Sequence, residues 1–195
     1  MESCKVLALN GSPRRQGNTA TLLAAVRQGI EAADGVVEVV RVCDLVISPC
    51  IACGGCDETG ECVLQDDMSL LYPKIMAADR LLLASPIYFY GLTAQAKAVV
   101  DRSQALWCRK RLLQARGEWR DDPARQGMLL AVGATRGPRV FEGAILTAKY
   151  GFDAMGFAYG GEFLVRGMDA PNDLRQHPEI LAEAAEAGRK FMETR

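Results

Sequence analysis

The sequence predicts an α/β domain, a three-layer sandwich around a five-stranded parallel sheet in the order 2-1-3-4-5. Three observations support this fold class. Apolar runs and segments with helical spacing alternate along the whole chain. The predicted strands are continuous apolar runs, which is typical of parallel strands covered on both faces. The length of 195 residues, 49% of them hydrophobic, suits one domain with a full core.

Each predicted element rests on its own pattern of apolar and turn residues. Strands are short apolar or β-branched runs, expected at residues 5–9, 36–42, 80–85 and 128–132, with a fifth inside 155–165. Helices show apolar residues at helical spacing and are expected at residues 19–33, 68–77, 93–106, 138–150 and 178–192. Asp67 is the expected N-cap of the second helix. We expect one domain over residues 1–195, with a cysteine-rich insertion at 48–67 and a polar insertion at about 107–126.

Composition excludes several classes of protein. The net charge of −1 gives no electrostatic basis for binding nucleic acid. No run of 18 apolar residues predicts a membrane span, and the first residues lack the apolar core of a secretory signal, so we expect a cytoplasmic protein. The single histidine, His177, precedes a proline at a helix start, which disfavours a Ser-His or Cys-His hydrolase. We therefore assign no catalytic side chain.

The loop after the first strand, residues 10–19, has the composition of a phosphate-binding site, and we call it the glycine loop. Ser12, Asn18 and Thr19 offer hydroxyl and amide donors, and Arg14 adds a positive charge. The following helix presents free backbone N–H groups and the positive end of its dipole. The loop lacks the lysine of a Walker A motif and the G-x-G-x-x-G pattern, which disfavours ATP and Rossmann-type NAD binding. The alternative is an ordinary strand-to-helix loop with an N-cap.

These residues resemble a known family. Gly-Ser-Pro-Arg at 11–14, followed by Gly-Asn-Thr at 17–19, is similar to the phosphate loop of the NADPH-dependent FMN reductase superfamily. The resemblance continues through Ser-Pro-Ile-Tyr-Phe-Tyr-Gly at 85–91 and reaches Lys97 and the Asp101-Arg102 pair. It implies a flavodoxin-like fold and non-covalently bound FMN, whose phosphate lies on the glycine loop.

The resemblance also implies that the loop after the third strand lies against the isoalloxazine ring. A proline fixes its own φ and extends the residue before it, so backbone groups of this loop can face the flavin edge. Aromatic side chains can pack on the ring, although they can instead belong to the core or to a subunit interface. A third strand-end loop, at 133–137, would complete the pocket. The expected ring-binding residues are Pro86, Ile87, Tyr88, Phe89, Tyr90 and Thr135.

Four of the seven cysteines, Cys50, Cys53, Cys56 and Cys62, lie within thirteen positions. A disulfide framework is not expected in a reducing compartment. Three cysteines with the same two-residue spacing bind one cubane in bacterial ferredoxins, and neighbouring glycines let backbone N–H groups approach sulfur. The full spacing resembles that of the iron-sulfur flavoproteins, a branch of the same superfamily. The resemblance implies that these four residues bind a [4Fe-4S] cluster.

Three alternatives stay open for the cysteines. They could form a structural zinc site, since zinc accepts the same ligands. They could be redox thiols that hold no metal. They could also hold a cluster in the cell and lose it in air. The remaining Cys4, Cys43 and Cys108 are interpreted as buried or incidental thiols.

The expected function is a flavin-dependent oxidoreductase that couples a [4Fe-4S] cluster to FMN. By resemblance, a ferredoxin-type donor reduces the cluster, the flavin reduces a quinone, an oxygen species or another small acceptor, and the subunits form a homodimer or homotetramer. NAD(P)H is a candidate reductant. The alternatives are an NAD(P)H-dependent FMN or quinone reductase without a metal, a flavodoxin-like electron carrier and a zinc-stabilised regulatory protein.

Overall fold

The computed structural model describes residues 3–193, and its sheet confirms the predicted fold class. Five strands pair in parallel in the order β2-β1-β3-β4-β5. Their bounds are β1 (Lys5–Asn10), β2 (Val36–Arg41), β3 (Arg80–Pro86), β4 (Gln126–Gly133) and β5 (Ala158–Arg166). The hydrogen-bonded register pairs Leu9 of β1 with Val40 of β2 on one side and with Leu83 of β3 on the other.

Helices cover both faces of the sheet. They are α1 (Asn18–Ala32), α2 (Met68–Ala77), α3 (Ala94–Arg102), α4 (Gln104–Ala115), α5 (Glu142–Ala154) and α6 (Pro178–Glu193). Side chains alternate across the strands, so Val6 of β1 packs with α1 and α6 while Leu7 packs with α2, α3 and α5. The result is two cores, one on each face. This explains why the strands are apolar throughout.

Two helix starts differ in detail from the prediction. Asp67 occupies the N-cap position of α2, as predicted, but its side chain makes no capping hydrogen bond to the helix. Its carboxylate accepts from the backbone of Val46, while Asp66 accepts from the N–H of Met68. The helix predicted over 138–150 begins only at Glu142, because residues 138–141 form turns that place Val140 and its neighbour in the core.

The helix predicted over 93–106 is two helices, and the second is longer than expected. Ser103 separates α3 from α4 while keeping helical backbone angles, so nothing in the local residue pattern marks the break. Helix α4 then runs to Ala115, and the first half of the stretch predicted as a polar insertion is therefore helical. Phe157, expected in the last strand, lies just before β5.

The parallel topology sets where a site can form. All five strands end at the same edge of the sheet, so the loops that follow them lie side by side. Thr93 caps α3 through its side chain and also donates to the carbonyl of Gly11 at 2.8 Å. This contact joins the loop after β3 to the glycine loop. Within residues 3–193, no helix combines the length and the hydropathy that crossing a bilayer requires.

Candidate functional site

The glycine loop presents an uncapped helix end to a cavity. Gly17 precedes α1, no side chain caps this helix, and its first turn carries no acidic residue. The first N–H groups of α1 are therefore oriented for an anion, which the helix dipole favours. A cavity of about 120 Å³ is lined by Ser12, Arg14, Gly17, Asn18 and Thr19, together with Pro86, Ile87 and Tyr88. The structure thus brings the glycine loop and the loop after β3 to one site.

The side chain of Asn18, predicted to donate to a phosphate, is instead hydrogen-bonded to the backbone of the segment after β5. Its side-chain amide donates to the carbonyl of Ala170 at 2.8 Å, and its side-chain oxygen accepts from the N–H of Leu174 at 3.1 Å. The side chain therefore anchors the loop after β5. That loop carries Met168 and Asp169 to the cavity wall. Sequence reasoning missed these two residues, although the convergence of strand ends at one edge would have pointed to them.

The loop after β3 is held by two buried hydroxyl groups. Ser85 donates to the carbonyl of Pro86 at 2.8 Å and accepts from the N–H of Thr93 at 3.1 Å. A Cβ on Gly11 would lie 2.6 Å from the Cβ of Ala96, so glycine is required where β1 ends against α3. These contacts fix the spacing between the two loops that line the cavity.

Three consecutive aromatic residues form a tight turn, residues 88–91, which we call the aromatic turn. The backbones of Tyr88 and Gly91 exchange two hydrogen bonds of 3.0 Å. Phe89 and Tyr90 have φ values of +49° and +64°, in the left-handed region that non-glycine residues rarely occupy. All three aromatic side chains are exposed, Phe89 completely. The core interpretation of these residues is therefore wrong, which leaves ring packing or a subunit interface.

The aromatic turn borders a second cavity of about 230 Å³, lined by Ile87, Phe89, Tyr90, Ala134, Thr135 and Val140. It shares Ile87 and Ala134 with the cavity at the glycine loop. Thr135, predicted to contact the flavin ring, lines this cavity. The two cavities adjoin along the sheet edge, with the anion-binding end at α1 and the aromatic end beyond Ile87.

The left-handed backbone of the aromatic turn gives a prediction about stability. Replacing Phe89 by glycine removes the left-handed strain, and we expect the free energy of unfolding to rise by roughly 1 kcal/mol. Phe89→Ala is the matched control, because it loses the ring but keeps the Cβ that causes the strain. Urea denaturation of the flavin-free protein measures both. Equal stability of the two variants would contradict the assignment of strain to this residue.

The four clustered cysteines lie in residues 48–67, the cysteine loop. Cys50, Cys53, Cys56 and Cys62 all line one cavity of about 440 Å³, and all are unpaired. Gly54 and Gly60 have φ values of +71° and +70°, which glycine adopts without strain. A Cβ on Gly60 would also lie 2.8 Å from the Cα of Arg109 on α4. The glycines therefore let the loop fold tightly against this helix.

A single zinc ion and a cubane cluster require different separations between their cysteine sulfur atoms. Four thiolates around one zinc, with bonds of about 2.3 Å, would lie about 3.8 Å apart. Across residues 3–193, the set of three candidate ligand atoms within 4.8 Å of one another is Cys56, Asp57 and Cys108, so no three of the four predicted ligands approach this closely. In a cubane each cysteine binds a different iron, which separates the sulfurs further.

Cys108, interpreted from the sequence as a buried or incidental thiol, is buried and lies beside this site. Its thiol donates to the carboxylate of Asp57 at 3.4 Å and lies next to Cys56. Burial, together with these two neighbours, raises the pKa of Cys108 to about 11, so its thiol is protonated at neutral pH. Cys108 is on α4, far from the cluster of cysteines in sequence, and no motif pointed to it.

A buried ion pair closes the cysteine loop. Arg102, at the end of α3, contacts both carboxylate oxygens of Asp66, at 2.6 and 3.1 Å. It also donates to the carbonyl of Ser48 at 2.8 Å, and Asp66 accepts from the N–H of Ser48 at 2.9 Å. Burial would raise the pKa of Asp66, but these hydrogen bonds hold it below its ordinary value. Both ends of the cysteine loop, at Ser48 and Asp66, are thus hydrogen-bonded to Arg102 of α3.

The glycine loop also contacts the segment that joins β2 to the cysteine loop. Asp44, just after β2, pairs with Arg15 of the glycine loop, with 3.0 Å between Nη2 and Oδ1. Both loops follow neighbouring strands, β2 and β1. The thiol-lined cavity and the anion-binding end of α1 therefore lie at the same edge of the sheet.

The chain is similar to several known proteins. An iron-sulfur flavoprotein of Methanocaldococcus jannaschii is 40% identical over 107 residues, covering 52% of this chain and 53% of that protein. One of Methanosarcina thermophila is 34% identical over 102 residues, with 52% and 53% covered. The chain thus spans about half the length of these curated relatives. The fold is similar to that of the NAD(P)H:quinone oxidoreductase from Methanothermobacter marburgensis, with a TM-score of 0.70, 17% identity and coverage of 97% and 96%.

The model of the family described as NADPH-dependent FMN reductase matches residues 4–146. This range contains the glycine loop, the cysteine loop and the aromatic turn. The predicted resemblance is confirmed by this match and by the iron-sulfur flavoprotein relatives. With the cavities and the sheet order in agreement, the chain belongs to the NADPH-dependent FMN reductase family, on its iron-sulfur flavoprotein branch.

Proposed function

We propose that the protein is a flavin-dependent oxidoreductase that binds FMN non-covalently and couples it to a [4Fe-4S] cluster. The observation that carries this proposal is the convergence of two built sites at one sheet edge. One is the uncapped end of α1 beside the aromatic turn. The other is the cavity lined by four unpaired thiols. FMN exchanges electrons singly or in pairs, and a [4Fe-4S] cluster exchanges one at a time.

The residues at the glycine loop fit the phosphate of FMN. Ser12 and Thr19 are buried and line the cavity. Because their side chains are short, they lose little conformational entropy when they bind an anion there. Arg14 is exposed at the rim of the same cavity, where it adds charge. The backbone N–H groups of the first turn of α1 supply the remaining donors.

The ring is proposed to lie along the second cavity. Ile87 and Thr135 line this cavity, together with the exposed rings of Phe89 and Tyr90 from the aromatic turn. Pro86 lines the adjoining cavity at the glycine loop. Aromatic faces exclude water from a planar ligand and pack against it. No side chain is required to move a proton for electron transfer, so these residues bind and orient.

The cysteine loop is proposed to hold the cluster through Cys50, Cys53, Cys56 and Cys62. By the likeness to iron-sulfur flavoproteins, a ferredoxin-type protein is the proposed electron donor. The proposed acceptor is a small molecule, a quinone or an oxygen species. Two protons and two electrons convert a quinone to its hydroquinone, so two single-electron donations are needed for each turnover.

An NAD(P)H-dependent FMN or quinone reductase is the second candidate, favoured by the family description. Mixing the anaerobic protein with NADPH, NADH or a reduced ferredoxin separates the two, with the flavin absorbance followed in time. We expect rapid bleaching by reduced ferredoxin and slow bleaching by the nicotinamides. Rapid bleaching by NADPH from a protein that contains no iron would overturn the proposal in favour of the second candidate.

We also propose a homodimer or homotetramer. Exposed apolar side chains cluster in the aromatic turn and on α5, where Leu146 and Tyr150 are exposed. Covering such side chains is a general driving force for association. Light scattering at micromolar concentration tests this, with a dimer or tetramer expected. A monomer would contradict it.

A further inference from the structure

The guanidinium of Arg102 is buried but incompletely bonded. Its side chain is 0% exposed, and four of its N–H groups are directed at Asp66, Ser48 and Leu64. The fifth, on Nε, is one of two buried side-chain nitrogens without a hydrogen-bond partner among residues 3–193, the other belonging to Arg41. A buried donor without an acceptor is costly, so such a group calls for a partner.

The position of Arg102 indicates what that partner is. Arg102 lines the same cavity as the four thiols. Arginine stays protonated at every pH that a folded protein meets, so the side chain is a cation beside the cavity. Sulfur atoms held in this cavity would be acceptors for the remaining N–H group.

We propose that Arg102 is a positioning residue that donates its Nε–H to a sulfur of the bound cluster and raises the reduction potential of that cluster. This inference rests on the proposed cluster site. Each reduction adds one electron, and hence one negative charge, to a cluster already held by four thiolates. A buried cation stabilises the more negative, reduced form, and hydrogen bonds to sulfur act in the same direction.

Because Arg102 and Asp66 carry opposite charges, the proposal can be tested by the direction in which each substitution shifts the reduction potential of the cluster. Arg102→Gln removes the cation, and Asp66→Asn removes its counter-charge while leaving Arg102 in place. If the charge of Arg102 acts on the cluster, the potential falls in the first variant and rises in the second. If Arg102 only fastens the loop, both variants loosen the same contacts and shift the potential in the same direction, or not at all.

Arg102→Lys tests the hydrogen bond separately from the charge. Lysine keeps the positive charge but lacks the planar fork and the Nε–H. We expect its potential to lie between those of the wild-type protein and Arg102→Gln. Arg27→Gln is the matched control, since it removes an arginine on α1, on the opposite face of the sheet. Its potential should equal that of the wild-type protein.

The experiment is an anaerobic titration of the full chain with dithionite, in which the reduced cluster is followed by its electron paramagnetic resonance signal. For Arg102→Gln we expect at least a tenfold smaller equilibrium constant for reduction, which is 59 mV for one electron. Potentials equal to the wild-type value in protein that keeps its iron overturn the inference. If Arg102→Gln holds no iron, the reduction potentials of Asp66→Asn and Arg102→Lys test the inference instead. A wild-type protein that binds no cluster would instead overturn the proposed function.

Discussion

Replacing Cys56 by serine is expected to remove the iron and leave FMN bound. Cys56 lines the thiol cavity and does not line the cavity at the glycine loop. A serine oxygen is a poor substitute for a thiolate as a ligand of a cluster. Iron and sulfide analysis of anaerobically prepared protein should show loss of most of the metal, while flavin fluorescence released on denaturation should match that of the wild-type protein.

The neighbour of Cys56 makes a second variant necessary. The thiol of Cys108 lies within 4.8 Å of that of Cys56 and can replace it as a ligand. The double variant Cys56→Ser/Cys108→Ser excludes this replacement. Cys4→Ser is the matched control, because Cys4 lines neither cavity. Loss of FMN together with iron would contradict the independence of the two sites, and full iron in the double variant would contradict the ligand assignment.

Removing the side-chain donors of the glycine loop is expected to weaken FMN binding strongly. In Arg14→Ala/Thr19→Ala, two side-chain contacts with the phosphate are lost, and each charged hydrogen bond contributes about 1.5–3 kcal/mol. With partial overlap, the loss is on the order of 2–4 kcal/mol, or roughly 30- to 700-fold in the dissociation constant. Fluorescence titration of the flavin-free protein measures this constant.

The control for this variant is Arg27→Ala. Arg27 lies on the same helix but pairs with Glu31 at 2.6 Å, away from the cavity. Its removal should leave FMN affinity unchanged. If the double variant also binds FMN as tightly as the wild-type protein, the phosphate does not lie on the glycine loop.

The strand order was predictable because five strands alternate with helices along the chain, which is typical of a doubly wound parallel sheet. The boundary between α3 and α4 was not, since Ser103 keeps helical angles and the change of helix depends on packing. The helix expected from Pro138 starts late because Val140 is drawn into the core. Local patterns thus predicted which elements exist better than where they end.

The candidate site was predictable where its residues are neighbours in sequence. The cysteines and the glycine loop each form a motif, and the structure brings the members of each to one cavity. The side chain of Asn18 anchors Ala170, 152 residues away, and Arg102 pairs with Asp66, 36 residues away. These residues come together only in the tertiary fold, so no motif or spacing in the sequence predicts their contacts.

The central claim is that one chain holds both FMN and a [4Fe-4S] cluster. The most direct test is the composition of an anaerobic preparation, with FMN, iron, acid-labile sulfide and zinc measured per chain. The account predicts stoichiometric FMN with about four iron and four sulfide. FMN without iron or sulfide, or stoichiometric zinc without sulfide, would contradict it.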